Sequence, residues 1–519
     1  MENIKIKRFN IYSCLSIECG GIQICFDPSK IQFEDLNKIN PDAIFISHES
    51  MDHMDPCQVY LLQKRKNCPI FCSIACSIDL IQYFFYDNEF VNSINTVLPG
   101  SAFVRNNFFI ETCKSIHCDY MFPLVFKVTF IKNNISIVHC FDTLLSDEII
   151  NFSRNTSLGI IPVGIAKGIS SKTGFEFIQK MHSLKFVTNH FKSEQELNDL
   201  KQIVKNKKDC VFLDWNKEEI IQVDECPSIT LKENYSVDVL NSKSLRQIVH
   251  NFNIIKTKLL SNKEFLDKLI DKYAHSNTSD KIIILVIFIL ISFVDSQLIK
   301  KSLIDKIKMD LLKKVDLQHN NLHTVILLFL GVYSQQSGEI LLIDEVISLV
   351  SYNNEHITYW VVEYLGRCAT SNKILCSNTI EKFLKIINTD SIYNSILIRR
   401  KIFWEIYRIL KIMPSFSCKF IKILEKGLDD INPDVRLLSV LCFSLVDKIC
   451  ELKIFHIDAI FKLLLDEEDD VREISVKIIR NLYNKEYILS KKENILLLLN
   501  DPNCHVRNEA EITCKWLNL

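Results

Sequence analysis

The sequence predicts an α/β domain followed by an all-α repeat domain, and three observations carry this prediction. Up to about residue 225, short apolar runs with strand character alternate with helical patterns, as in layered α/β domains. Beyond about residue 245, strand signals vanish and amphipathic helical patterns follow one another. Near the end, the pair Val-Arg recurs after 36 and then 35 residues, a spacing typical of α-solenoids. The predicted boundaries are an α/β domain at 1–225, a linker at 226–244 and a helical domain at 245–519.

The elements of the first domain follow from its apolar pattern. Runs rich in β-branched and aromatic residues predict strands at 4–9, 15–18, 22–26, 43–46, 108–112, 124–131, 135–139, 158–162 and 185–188. Helical patterns predict helices at 56–66, 77–85 and 173–182. Asp55 followed by Pro56 is typical of a helix N-cap with proline at the first helical position.

The helical domain repeats one local pattern three times. Segments 427–436, 464–472 and 499–507 each place an acidic turn before Val-Arg. These units resemble HEAT repeats, whose second helix often begins Asp-Val-Arg. Segments 359–367 and 396–404 suit degenerate copies of the same unit. Solenoids present long concave surfaces, so the resemblance implies a protein partner for this half of the chain.

Composition and charge bound the class of protein. The net charge of -1 and a pI near 6.9 argue against a nucleic-acid partner. The first residues lack an apolar signal region, and the most apolar run, 282–294, has 13 residues, fewer than a bilayer span requires. Nineteen irregularly spaced cysteines favour reduced thiols over a disulfide framework. We therefore expect a cytoplasmic protein without a membrane partner.

A loop between the strand at 43–46 and the helix at 56–66 carries His48, Asp52 and His53. Imidazoles and a carboxylate crowded at the end of a strand are the donors that a borderline or hard metal ion prefers. Capping groups or surface polar residues would give the same spacing, and the loop alone leaves both interpretations open.

The wider pattern favours the metal. His48-x-Ser50-x-Asp52-His53 resembles the HxHxDH signature of the metallo-β-lactamase fold, with serine replacing the second histidine. Residues 14–28, which end in Asp27-Pro28, resemble the opening hairpin of that family. The similarity is greatest to the branch that contains ascorbate-6-phosphate lactonase. The resemblance implies an αββα sandwich for residues 1–225.

The same resemblance implies the remaining ligands. His117, in segment 115–119, matches the third histidine of the family, and Asp142, in segment 138–143, matches its bridging aspartate. Segment 158–164 resembles a strand of the lactonase-like branch, and His190 matches the last histidine. One metal position would then use His48 and His117, and the other would use Asp52, His53 and His190, with Asp142 between them. His139 is interpreted as a core or supporting histidine.

Two departures from the family limit this interpretation. Ser50 removes an imidazole from the first position, and a neutral hydroxyl is a poor ligand for zinc. Phe141 stands where glycine is usual, so Asp142 is expected to be displaced. The sequence thus predicts one firmly held divalent ion, zinc first and manganese or iron as alternatives, with the second ion weak or absent.

Two functions follow from these residues. In the first, a metal-activated water hydrolyses a small-molecule lactone, ester, amide or phosphodiester, with Asp52 or Asp142 orienting the water. In the second, the domain is a degenerate scaffold that binds protein partners through its repeats. Cys68, Cys72 and Cys76 are interpreted as buried small residues. The basic clusters at 64–66 and 205–208 are interpreted as solvated helix ends.

Overall fold

The structure is a computed structural model and describes residues 2–10, 12–116, 122–164, 170–191, 194–204, 210–213, 217–225, 249, 264–312, 321–352, 354–371, 376–389, 393–446, 453–480, 482 and 485–519. Its contacts divide the chain into two compact units, Met1–Leu290 and Ile291–Leu519. The linker predicted at 226–244 lies outside the described residues. The boundaries of the predicted domains therefore stay predictions.

Two mixed sheets make up the N-terminal part of the first unit. The first sheet has the strand order β14-β1-β2-β3-β4-β5-β6 and the second β13-β12-β11-β10-β9-β8-β7. In chain order the strands are β1 (Glu2–Arg8), β2 (Leu15–Cys19), β3 (Ile22–Phe26), β4 (Ala43–Ile46), β5 (Ile70–Cys72), β6 (Ile94–Thr96), β7 (Ala102–Arg105), β8 (Phe108–Lys114), β9 (Leu124–Phe130), β10 (Ile135–His139), β11 (Thr156–Pro162), β12 (Ser183–Asn189), β13 (Cys210–Val211) and β14 (Glu218–Val223).

Each sheet has an antiparallel half and a parallel half. β14, β1, β2 and β3 pair antiparallel, and β3, β4, β5 and β6 pair parallel. In the second sheet, β10 to β13 pair parallel and β7 to β10 antiparallel. The nine strands that the sequence predicts are present, with ends that move by up to two residues.

The two sheets pack face to face through an aromatic core. Phe45 of β4 lies with its ring centroid 5.3 Å from that of Phe126 in β9, and Phe26 of β3 lies 4.8 Å from His139 of β10. Alternate residues of a strand point to opposite faces. Accordingly, Ile137 faces this core, whereas its neighbour Val138 faces a second apolar cluster. Burial on both faces explains why these strands read as continuous apolar runs.

Helices cover the outer faces of the sheets. Phe177 and Leu200 belong to helices that pack against Val138 on the second sheet. The helices of this part are α1 (Phe33–Leu36), α2 (Pro56–Lys66), α3 (Ile74–Phe84), α4 (Asn88–Ser93), α5 (Asp147–Phe152), α6 (Ser171–Lys180) and α7 (Glu194–Ile203). The layers are therefore helix, sheet, sheet, helix, as the family resemblance implies.

The bounds predicted for helix α2 are confirmed. Its start is fixed by Asp55, whose side chain accepts hydrogen bonds from the amides of Cys57 and Gln58. Helices α3 and α6 begin earlier than predicted. The side chains of Ser73 and Ser170 cap their first turns, so the helices begin at Ile74 and Ser171 rather than at residues 77 and 173.

All remaining described elements are helices. They are α8 (Glu264–His275), α9 (Thr278–Asp295), α10 (Lys301–Leu311), α11 (Asn321–Ser337), α12 (Ile343–Ser348), α13 (Glu355–Ala369), α14 (Cys376–Ile387), α15 (Ile396–Ile412), α16 (Ser417–Leu428), α17 (Pro433–Val446), α18 (Ile454–Lys462), α19 (Asp469–Ile479), α20 (Lys485–Ser490), α21 (Lys492–Leu497) and α22 (Cys504–Leu517). Short 3₁₀ turns occur at Ser296–Leu298, Leu349–Tyr352, Pro414–Phe416, Leu463–Leu465 and Leu498–Asn500. The predicted change from α/β to helical structure is confirmed.

The apolar run at 282–294 forms part of a longer helix than the sequence predicts. The helical stretch Thr278–Leu298 is long and apolar enough to cross a membrane by length and composition. Ile284, Ile287 and Ile291 are fully buried, as in the core helix of a globular unit. We interpret this helix as a core element, in agreement with the prediction of a buried helix.

The repeated Val-Arg pairs mark a ladder of ion pairs in the second unit. Arg436 binds Asp466 through two hydrogen bonds of 2.7 Å, and its remaining guanidinium nitrogen donates to the carbonyl oxygens of Asp430 and Ile431. Arg472 binds Asp501 in the same way at 2.7 and 3.0 Å. Arg436 and Arg472, each near the start of a helix, are thus fixed both to their own turn and to the next acidic turn of the series.

Candidate metal centre

Five of the predicted site residues converge where parallel strands of the two sheets end. His48 follows β4, Asp142 follows β10 and His190 follows β12. Asp52 and His53 lie in the loop between β4 and α2. The carboxyl ends of neighbouring parallel strands share one edge of a sheet. Because the two sheets face each other, the loops of both sheets meet there.

Asp27, directly after β3, orients the two histidines of the first sheet. The Nδ1–H of His53 donates to the Asp27 carboxylate at 2.5 Å, and Ser47 donates to it through its amide and hydroxyl at 2.8 and 2.9 Å. The Ser47 hydroxyl is also 2.9 Å from Nδ1 of His48. Since that hydroxyl gives its proton to Asp27, it accepts one from His48. Both imidazoles therefore carry their proton on Nδ1, which leaves Nε2 as the metal-binding nitrogen.

His190 is oriented in the same manner from the second sheet. Its Nδ1 lies 3.0 Å from the carbonyl oxygen of Gly164, which follows β11, so the ring donates there. Its Nε2 is buried and has no hydrogen-bond partner among the described residues, and the same is true of Nε2 of His53. A buried nitrogen lone pair without a donor is costly unless a cation or water satisfies it.

The spacing of the donor atoms suits a metal ion. Nε2 of His53 lies 3.5 Å from Asp142 Oδ2 and 3.6 Å from Asp52 Oδ2, and Nε2 of His48 lies 3.9 Å from Asp142 Oδ2. Two ligands of a tetrahedral zinc ion are about 3.3–3.6 Å apart, given bonds of about 2.0–2.2 Å. Two groups satisfy the criterion that all donor atoms lie within 4.8 Å: His48, His53 and Asp142, and Asp52, His53 and His190.

The charges around His53 also fit a cation. Burial disfavours its charged form, but the carboxylates of Asp142, Asp52 and Asp27 outweigh this effect and raise the pKa of His53 well above its usual value. Burial raises the pKa of Asp52, yet His53, His190 and the hydroxyl of Ser50 hold it below the ordinary range. Three carboxylates thus crowd one imidazole, and a divalent ion would supply the balancing charge.

Burial also shifts the pKa values of Asp27 and His190. It raises the pKa of Asp27 to about 6, against the lowering effect of His53. It lowers the pKa of His190 to about 4, although Asp142 and Asp52 favour the charged form. A neutral His190 is the form that binds a metal.

Phe141 does not displace Asp142, which corrects the expectation drawn from the missing glycine. Phe141 adopts the left-handed backbone conformation that glycine would, with φ of 51°. Its ring is buried and stacks on His139 with centroids 3.8 Å apart and an interplanar angle of 19°. The aromatic core therefore stabilises the turn, and the Asp142 carboxylate reaches His53.

The remaining predicted residues lie apart from the ligand groups or outside the description. His117 is outside the described residues, so its role stays a prediction. His139 is buried, and its Nδ1 accepts the amide proton of Phe141 at 2.9 Å. Burial lowers the pKa of His139 well below its usual value. This neutral ring supports the turn before Asp142, as a core histidine was expected to do.

The cysteines near α3 are buried residues of the core. Cys68, Cys72 and Cys76 are free thiols with almost no exposed surface. Burial raises the pKa of Cys68 and of Cys72 to about 12. The metal-binding groups found within the described residues contain no cysteine. These observations agree with the interpretation of this set as core.

Sequence reasoning missed the residues that orient the ligands. Asp27 was recognised only as the end of a hairpin, and Ser47 and Gly164 were not singled out. A usable signal was present, because Asp27 follows β3 and His48 follows the parallel neighbour β4. Polar residues at the ends of adjacent parallel strands lie close together in space.

Comparison with known proteins gives structural neighbours for the first part of the chain. No family model and no curated protein matches the sequence. A metallo-β-lactamase-fold protein, YhfI of Bacillus subtilis, is 17% identical over 42% of this chain and 100% of its own, with a TM-score of 0.36. Igni18, a metallo hydrolase of Ignicoccus hospitalis, is 18% identical over 42% and 99%, with a TM-score of 0.36. Human tRNase Z, short form, is 12% identical over 43% and 99%, with a TM-score of 0.34.

Proposed function

We propose that residues 1–225 form a metal-dependent hydrolase domain of the metallo-β-lactamase type. The observation that carries the proposal is the orientation of His48, His53 and His190. Each has its Nδ1 beside a hydrogen-bond acceptor, so each directs Nε2 toward the carboxylates of Asp52 or Asp142. If these three histidines only stabilised the fold, nothing would require each of them to carry its proton on Nδ1 and to direct Nε2 toward a carboxylate.

The donor set favours one firmly held ion. Asp52, His53, Asp142 and His190 supply two nitrogens and carboxylate oxygens, which suits zinc, with manganese or iron as alternatives. His48 belongs to a second position that Ser50 deprives of an imidazole. His117 would complete that position only in part. We therefore propose one resident ion and a second that is weak or absent.

The chemistry follows from the metal and from the residues around it. A bound divalent ion supplies a water of lowered pKa and polarises a carbonyl or phosphoryl oxygen. His53 and His190 bind the ion in their neutral forms, while Asp27 and Gly164 keep these rings oriented. The carboxylates of Asp52 and Asp142 accept a proton or orient the attacking water. His53, Asp142 and His190 are buried while Asp52 stays partly exposed, and the low polarity around the buried groups strengthens their interactions.

The substrate class is a small molecule with a hydrolysable ester, lactone, amide or phosphodiester bond. The resemblance of the loop signature and of segment 158–164 to the lactonase-like branch supports this choice of substrate class. For the helical half, we propose a HEAT-like repeat domain that binds a protein partner. The balanced net charge argues against a nucleic-acid partner, and the many irregularly spaced cysteines favour a reducing, cytoplasmic location.

Metal content of the full-length protein, expressed without a histidine tag, tests the proposal by elemental mass spectrometry. We expect about one equivalent of zinc, manganese or iron. His190→Ala should lose it because His190 offers a buried Nε2 without another partner. His182→Ala is the matched control, since His182 is exposed and outside the ligand groups. Retention of the ion by the His190→Ala variant would remove His190 from the site, and a folded chain that refuses metal would favour the scaffold.

A further inference from the structure

Ser50 occupies the motif position at which the family carries a histidine, and it makes a specific contact there. Its hydroxyl donates to Oδ1 of Asp52, and the other oxygen of that carboxylate, Oδ2, lies 3.6 Å from Nε2 of His53. The backbone carbonyl of Ser50 accepts the amide protons of His53 and Met54 at 2.9 and 2.8 Å. Ser50 therefore begins the turn that carries the two ligands and also contacts one of them through its side chain.

The backbone of Asp52 is fixed from a second direction. The hydroxyl of Ser29, in the segment after β3, donates to the carbonyl oxygen of Asp52. Both the backbone carbonyl and the side-chain carboxylate of Asp52 thus accept hydrogen bonds. The carboxylate therefore has a defined orientation before any ion binds. Preorganised ligands bind more tightly because less conformational freedom is lost on binding.

We infer that Ser50 is a positioning residue for Asp52, which it holds as a one-oxygen metal ligand. This inference rests on the proposed function. With Oδ1 bound by the hydroxyl, the carboxylate presents Oδ2 toward His53, in the group that also contains His190. Serine at this position removes a histidine ligand from the first metal position, but its hydroxyl strengthens Asp52 as a ligand of the other position. The loop is thereby specialised for a single ion.

The size of the effect follows from what supporting contacts contribute in other metal sites. Loss of a hydrogen bond to a metal ligand commonly weakens metal affinity by about 10- to 100-fold. The bond from Ser50 is of this kind, since it joins a hydroxyl to a charged carboxylate. Ser50 is only half buried, so removal of its hydroxyl should change the folding of the metal-free chain little.

The dissociation constant of zinc, measured by chelator competition on the metal-free full-length chain, tests the inference. We expect Ser50→Ala to raise it by about 10- to 100-fold. Ser50→Thr, which keeps the hydroxyl, should stay within a few-fold of the unsubstituted protein. Ser146→Ala is the matched control, because Ser146 caps α5 and lies outside the ligand groups.

The outcomes separate this inference from the proposed function. A Ser50→Ala variant that binds zinc as tightly as the unsubstituted chain, while His190→Ala loses it, would overturn the role of Ser50 and leave the hydrolase site intact. Failure of the unsubstituted chain to bind zinc, manganese or iron would overturn both. An equal loss of thermal stability in metal-free Ser50→Ala and Ser50→Thr would also overturn the inference, because it would show a purely structural role.

Discussion

Three residues at or beside the candidate metal centre hold a backbone conformation that non-glycine residues rarely adopt. Asp27, Phe141 and His190 have φ of 43°, 51° and 55°, and each directly follows or closely follows the end of a strand. This region costs roughly 1–3 kcal/mol per residue, so surrounding contacts must maintain it. Here the contacts are visible: Asp27 binds Ser47 and His53, and Phe141 stacks on His139. Each left-handed residue turns its chain segment sharply, so that Asp27 and His190 face the site and the residue after Phe141, Asp142, does so as well.

Phe141 permits a test of this strain. We expect Phe141→Ala to destabilise the protein by about 3–5 kcal/mol through loss of a buried ring. Phe141→Gly loses the same ring but avoids the left-handed penalty, so it should be more stable than the alanine variant by about 1 kcal/mol. Urea unfolding followed by circular dichroism measures both. In an ordinary helix or strand glycine is the less stable of the two, and that order here would disprove the strain.

The candidate ligands could be proposed from the sequence because residue type alone tells which side chains offer metal-binding atoms. His48, Asp52, His53 and His190 needed only a known order of residue types along strands and loops. The supporting contacts could not be predicted in this way. The bond from Ser50 to Asp52 depends on side-chain orientation within a turn, and the left-handed φ of Phe141 depends on a core that closes around its ring. The expectation of a displaced Asp142 failed for that second reason.

At the scale of elements, the arginine ladder of the second unit carries much of the regularity of the repeats. The side chains of Arg436 and Asp466 are 9% and 5% exposed, so their ion pair is almost removed from water. Asp466 also accepts the backbone amide of Glu468 in its own turn. One carboxylate therefore closes a turn and joins it to the preceding helical pair. Contacts of this nearest-neighbour kind make repeat proteins stable as arrays.

The final arginine of the series offers a matched control for the ladder. Arg507 donates to the carbonyl oxygens of Asp501 and Pro502, as its predecessors do in their own turns. Within the described residues it forms no ion pair. Arg436→Ala should cost about 3–5 kcal/mol because Asp466 stays behind as a buried charge. Arg507→Ala should cost about 1 kcal/mol, since only neutral acceptors lose a donor.

Urea unfolding of the two variants, compared with the unsubstituted chain, measures this difference. Equal losses of unfolding free energy would show that the carbonyl contacts, and not the ion pairs, hold the turns.

The presence of helices in the second half of the chain was easier to predict than the contacts between them. The spacing of Val-Arg identified the repeats, but the partner of each arginine lies about 30 residues away and was not apparent from the local pattern.

For the whole molecule, the sheets show how much of the chain the candidate site requires. Every strand pair of both sheets lies between residues 2 and 223. Five of the six predicted ligands also fall in this range within the described part of the chain. Nine of the fourteen strands and three of the seven helices of this part were predicted from the sequence, and short elements such as β5 and β13 were not. The pairing of β1 with β14 joins segments too distant for any local pattern to reveal.

A chain truncated after residue 242 should therefore remain folded. We expect it to keep its mixed α/β circular dichroism spectrum and to melt cooperatively, because each sheet retains all of its strands. It should also bind the metal ion with the affinity of the full-length protein. Limited proteolysis and chelator competition measure both properties. An unfolded fragment would mean that the helices after residue 242 contribute to the core of the first unit.

The pairing of β1 with β14 has a consequence for how the protein is made. β1 is synthesised well before β14, the strand that covers its outer edge and ends at Val223. At about 5–20 residues per second, that edge stays open for roughly 10 to 40 seconds of synthesis. An open strand edge invites pairing with other nascent chains, and charged side chains discourage it. Lys5 and Lys7, which alternate with the buried Ile4 and Ile6, are charged side chains of this kind on the strand whose edge waits for β14.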